Sequence, residues 1–113
     1  MRFFGAESIY DMSRTGLPRF EGSAAIRAFL EDWYGAYQQA EDELHEIVDL
    51  GHGIVLAAVR ERARPLGSPE HAEVNATYAL VAEWRDEVAV RVTAYLDIVE
   101  ARAAARRLAE ERA

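Results

Sequence analysis

The chain holds few side chains capable of covalent chemistry. All thirteen basic residues are arginine and cysteine is absent, which excludes a Schiff-base lysine, a thiol nucleophile and a thiolate metal site. The candidates are chiefly carboxylates, tyrosines and arginines. Asp11 stands among Ile9, Tyr10 and Met12, and an apolar surround raises a carboxyl pKa towards the range in which it exchanges protons near neutrality. Two residues before Ser13, the same aspartate also has the spacing of an Asx-turn that opens a loop. Tyr95 and Asp97 lie two apart at the end of an extended run, so they share a face. There Tyr95 is either a donor to a ligand carbonyl or a core tyrosine with its hydroxyl satisfied at the rim. Asp97 is either an acid/base group or, with Glu100, the D-x-x-E of a capping box.

Aromatic surface comes from Tyr10, Trp33, Tyr78 and Trp84, which with Leu80 are the candidate ligand-lining residues. Trp33 fits a core position as well as a ligand platform, and Tyr78, Leu80 and Trp84 share a face that a pocket or a plain core would use alike. Arg60, Arg62 and Arg64 point to one side of a strand, either to orient an anion or to pair with Glu43, Glu46 or Glu73 across it. His45, His52 and His71 lack H-x-H or H-E-x-x-H spacing, so no metal site is expected. With no phosphate-binding or dinucleotide fingerprint, no cofactor is expected either.

These residues need elements to position them. Residues 7–12 read as one short strand and 13–22, with two glycines and a proline, as a loop or irregular hairpin. Ser23 is a good N-cap, and Ile26, Phe29, Leu30, Trp33 and Tyr37 recur at helical spacing, predicting an amphipathic helix over residues 23–37. The period then changes to two. Strands are expected over residues 43–50, 54–64, 73–84 and 88–96, the last two joined by a tight turn at 85–87. Helical spacing returns after Asp97, with Ile98, Ala101, Ala105, Leu108 and Ala109 on one face. One helix, a four-strand antiparallel meander and a final helix make an α+β domain.

At 113 residues the expectation is a single domain spanning residues 1–113 around one core. Acids outnumber bases 20 to 13, for a net charge of −7, which argues against nucleic acid as a partner. No apolar run reaches membrane-spanning length and MRFFGAES is no signal peptide, so no membrane partner and a cytoplasmic location are expected.

The run FEGSAAIR, residues 20–27, and the W-R-D turn followed by V-R-V-T-x-Y-x-D, residues 84–97, resemble the SnoaL-like branch of the nuclear transport factor 2 superfamily, which includes ketosteroid isomerase. The resemblance implies a cone-shaped roll, a strongly curved antiparallel sheet around a helix, with a pocket at its wide end. It places Asp11 where a general base removes a proton next to a carbonyl, and puts apolar Leu80 where the isomerase has an acid. Two N-terminal helices usual in the family have only the Phe3-Phe4 stub here, so either the start is assigned too late or the chain is a shortened form. In the shortened form the apolar surface left uncovered calls for a second copy, a homodimer. Two functional classes follow. One is cofactor-independent proton transfer, of isomerisation, cyclisation or hydration type, on a small apolar carbonyl compound; the other is a non-catalytic binding or dimerisation module, with an inactive truncated product as a further possibility.

Overall fold

The computed structural model describes the backbone of residues 3–35, 37–65 and 74–113, and the side chains of residues 3–32, 43–62 and 76–113. Alternation of apolar residues builds a six-stranded sheet: β1 (Ile9–Asp11), β2 (Arg19–Glu21), β3 (Tyr37–Gly51), β4 (Ile54–Pro65), β5 (Val74–Arg85) and β6 (Val88–Tyr95). Among the described residues two helices accompany it, α1 (Ser23–Gly35) and α2 (Ile98–Arg112), and a 3-10 turn covers Ser13–Thr15. The strand order is β2-β1-β6-β5-β4-β3. The sheet is open, with β2 and β3 at its edges. None of the described helices is long and apolar enough to cross a membrane.

The meander is antiparallel as expected, but the sheet as a whole is mixed, because β1 runs parallel to β6, with Asp11 opposite Thr93. Residues 13–22 form the return of a hairpin, β2 pairing antiparallel with β1. The expected strand at residues 43–50 begins much earlier, at Tyr37, where the helix was expected to end. Register shifts in β3 and between Glu83 and Trp84 mark bulges, which bend strands and sharpen their twist.

α1 starts at Ser23, so the N-cap position belongs to Gly22 rather than to the serine. The Gly22 carbonyl accepts the first helical bond from Ile26 N at 3.0 Å, and its own amide donates to the Ser8 carbonyl at 2.8 Å. Gly22 has φ 87°, a left-handed backbone that glycine adopts without steric cost. Ile26 is fully buried below it, while Arg27 and Glu31 pair on the solvent side at 2.9 Å.

The two helices pack against opposite faces of the sheet. On one face Ile54, Leu56, Ala79, Val81 and Tyr95 form the core with the alanine stripe of α2: Ala101, Ala104, Ala105 and Ala109. Side chains that small let the helix approach the strands closely. Its two ends are tied down as well: Arg102 reaches Glu46 at 2.8 Å, and Arg112 donates to the carbonyls of His52 and Trp84 at 3.0 and 2.9 Å. The opposite face of β4, β5 and β6 turns towards α1.

Candidate functional site: a cavity beneath the first helix

Strand alternation decides what reaches that second face. From β5 come Ala76, Tyr78 and Leu80, from β6 Ala94, and from β4 Glu61; Leu96, just past β6, stands at the rim. Opposite them are Phe29 and Leu30 of α1, Tyr10 of β1, and Met12, Thr15 and Leu17 of the hairpin loop. Together they enclose a cavity of about 240 Å³. Its wall is aromatic and aliphatic, with the Thr15 hydroxyl donating to the Met12 carbonyl at 2.7 Å. Glu61 is its one acid among the described lining residues, and that side chain is buried, 6% exposed.

Three of the candidate ligand-lining residues, Tyr10, Tyr78 and Leu80, meet on this wall. Trp84 does not. It lies beyond the cavity, four residues past Leu80 on β5, where the indole stacks edge-on against Phe3 at 6.0 Å, in a separate depression with Asp86 and Glu87. The backbone of Trp33 belongs to α1, and its side chain lies outside the described residues, as do His71, Glu73 and the side chain of Arg64.

The candidate acid–base residues lie elsewhere. Tyr10 lines the cavity, so Asp11, next along β1, turns to the opposite face. There its Oδ1 accepts from the Ser13 amide at 2.9 Å and the Ser13 hydroxyl at 2.6 Å, the Asx-turn foreseen in its spacing. Its Oδ2 accepts from Arg91 Nη2 at 2.5 Å, with Arg19 Nε 3.9 Å away. Burial alone would raise the Asp11 pKa, but the two Ser13 hydrogen bonds and then the Arg91 and Arg19 charges outweigh it and hold the pKa below the ordinary value. The upward shift expected from apolar neighbours is therefore reversed, because the neighbours along β1 are not the neighbours in space.

Tyr95 and Asp97 do not share a face, since β6 ends at Tyr95 and Asp97 sits at the cap of α2. Tyr95 is buried in the core under α2, with the Arg14 guanidinium 4.9 Å from its ring centroid. Asp97 is exposed and accepts from the amides of Val99 at 2.8 Å and Glu100 at 3.4 Å. Of the capping box, the half supplied by Asp97 is present, whereas the Glu100 carboxylate pairs with Arg14. Arg60 and Arg62 are exposed, and register sets them opposite Glu43 and Glu41 of β3.

Glu61 is the site residue that sequence reasoning missed. The signal was available. The alternation that sends Arg60 and Arg62 to one side of residues 54–64 sends Glu61 to the other, with Val59 and Ala57.

No family model matches the sequence, and no curated protein does. Solved structures do match in shape. A ketosteroid isomerase-like protein from Catenulispora acidiphila, in complex with trimethylamine, superposes with a TM-score of 0.72 at 14% identity, over 90% of this chain and 75% of its own. A putative SnoaL-like polyketide cyclase from Shewanella denitrificans gives 0.69 at 10% identity, over 95% and 82%. An epoxide hydrolase of M. tuberculosis, described as LEH-like, gives 0.66 at 18% identity, over 94% and 74%. At such identities the likeness is one of fold: the chain has the α+β architecture of SnoaL-like and nuclear transport factor 2-like proteins. These relatives differ in described activity, and a shared fold does not choose among activities.

Proposed function

We propose that this chain, with its SnoaL-like fold, is a small-molecule-binding protein that takes a compact, largely apolar compound into the cavity beneath α1, with the compound's polar end towards Glu61. The cavity itself supports this reading: about 240 Å³ of apolar-walled space with a buried carboxylate on its wall. Apolar walls with few, fixed polar groups are the usual make-up of small-molecule sites. Binding is favoured over turnover by the places of the other acid–base candidates. Asp11 faces away from the cavity, Tyr95 packs under α2, and Asp97 caps a helix. In its catalytic form, cofactor-independent proton transfer on an apolar carbonyl compound, the reading assigns the proton to Glu61 instead of Asp11.

Filling the cavity tests the proposal. Leu80→Trp places an indole in the space a ligand needs, so it abolishes uptake of small apolar probes while the thermal melt stays cooperative. Uptake unchanged by that substitution would move the site elsewhere.

The reading also includes a second copy of the chain as partner. Leu44 and Ile47, 57% and 64% exposed on the outermost strand, support it, because apolar side chains gathered on a surface are what interfaces cover.

A further inference from the structure

The loop between β1 and β2 has two unlike sides. Met12, Thr15 and Leu17 line the cavity, while Ser13, Arg14, Gly16 and Pro18 between them are exposed. Its backbone bonds to itself: the Met12 carbonyl accepts from the amides of Thr15 at 2.9 Å and Leu17 at 3.3 Å, and the Met12 amide donates to the Pro18 carbonyl at 3.3 Å. Residues 12–18 therefore form a small preformed unit that can swing as one piece. Its foot is fixed to the sheet by the two Ser13 bonds to Asp11. Its tip, Gly16, has open space where a Cβ would stand.

Arg14 supplies the loop's polar tie to α2. It donates to the Glu100 carboxylate in the first turn of that helix, and its guanidinium lies 4.9 Å from the Tyr95 ring centroid. The two side chains of the ion pair are 51% and 49% exposed. Leu96, next along the chain from Tyr95, is itself exposed at the cavity rim, so Arg14 reaches α2 beside the mouth. From the loop's lining role, its self-contained backbone and this outer tie, we propose that residues 12–18 are the gate of the cavity and the Arg14–Glu100 pair its latch.

The inward Met12 and Leu17 keep the closed state the populated one, and the latch adds to it. An ion pair so exposed is weak, and salt weakens it further. Neither latch residue lines the cavity. Loosening the pair therefore changes how fast a ligand passes and not how tightly it is held, because an opened gate speeds entry and exit alike.

This inference rests on the cavity being the ligand site, and the outcomes separate the two claims. The probe is 4-fluorophenol, with its affinity for the full chain and its exchange rates read by fluorine NMR. Glu100→Gln is expected to raise entry and exit rates together by about two- to fivefold, the range of an exposed ion pair, at unchanged affinity. High salt should raise the wild-type rates likewise and leave the variant's unmoved. In the opposite direction, the chain has no cysteine, so Arg14→Cys/Glu100→Cys can be bridged by a short bis-maleimide at that one place. The bridge should slow both rates at least about tenfold relative to the unbridged variant. Rates indifferent to Glu100→Gln and to the bridge, with 4-fluorophenol still bound, overturn the gate and leave the cavity standing. If Glu100→Gln weakens affinity without raising the exit rate, the pair is no latch. If 4-fluorophenol does not bind, both claims fall.

Discussion

Asp11 carries a negative charge on the buried side of a short strand, and its surroundings define what it does. Two hydrogen bonds from Ser13 and the guanidinium of Arg91 favour its ionised form, so its folded-state pKa lies below that of the unfolded chain. Its contribution to stability is therefore complete above the ordinary aspartate range, near pH 4, and disappears as pH falls through the lower folded value. Asp11→Asn is predicted to cost about 1–3 kcal/mol in urea unfolding at pH 7 and to leave ligand uptake unchanged. Repeating the unfolding at pH 3 and below should show the gap to wild type closing; a gap constant across that range would mean the charge is not what matters. The Asx-turn and the Asp97 cap were legible in the sequence, because both bond to backbone two or three residues away. Which face Asp11 looks to was not, since it depends on the pairing of β1 with β6, eighty residues on. Glu61, by contrast, follows from the alternation within β4, which sets it on the side opposite to Arg60 and Arg62.

At the scale of elements, strong periodicity and a correct reading went together. α1, β4, β5, β6 and α2 lie close to their expected bounds, as each alternates apolar and polar residues at its own period. The first half of β3 was missed because residues 38–43, QQAEDE, carry no apolar alternation. Pairing with β4 makes them a strand, with Glu41 and Glu43 opposite Arg62 and Arg60. β2 was too short to register as more than part of a hairpin. Two substitutions test how elements are joined. Asp97→Ala removes the acceptor for two α2 amides and should cost about 1 kcal/mol, with faster amide exchange confined to the first turn of α2. Gly53→Ala should cost more, about 2 kcal/mol by thermal or urea denaturation. Its new Cβ would lie 2.5 Å from the Trp84 carbonyl oxygen, at a φ of 80°. A melt equal to wild type would show that the β3–β4 turn can move away from β5.

For the whole molecule, the sheet divides the work. Its α2 face is a core of aliphatic residues, alanines and Tyr95; its α1 face keeps open space. Beyond that space, on the same side of the sheet, Leu44 and Ile47 stay exposed in the monomer. Sedimentation equilibrium is predicted to show a concentration-dependent dimer that Leu44→Glu/Ile47→Glu converts to monomer. A wild-type chain that stays monomeric at high concentration would remove the second copy from the account. The proposed function, however, rests on the cavity. Its most direct test is a nitrogen-15 and methyl NMR titration of the chain with a panel of compact apolar compounds bearing one polar end. Saturable shifts are expected to cluster at Tyr10, Leu30, Glu61, Tyr78, Leu80 and Ala94. Shifts clustered instead around Asp11, Arg91 and Tyr95, or no saturable shifts at any residue, would contradict the proposed function.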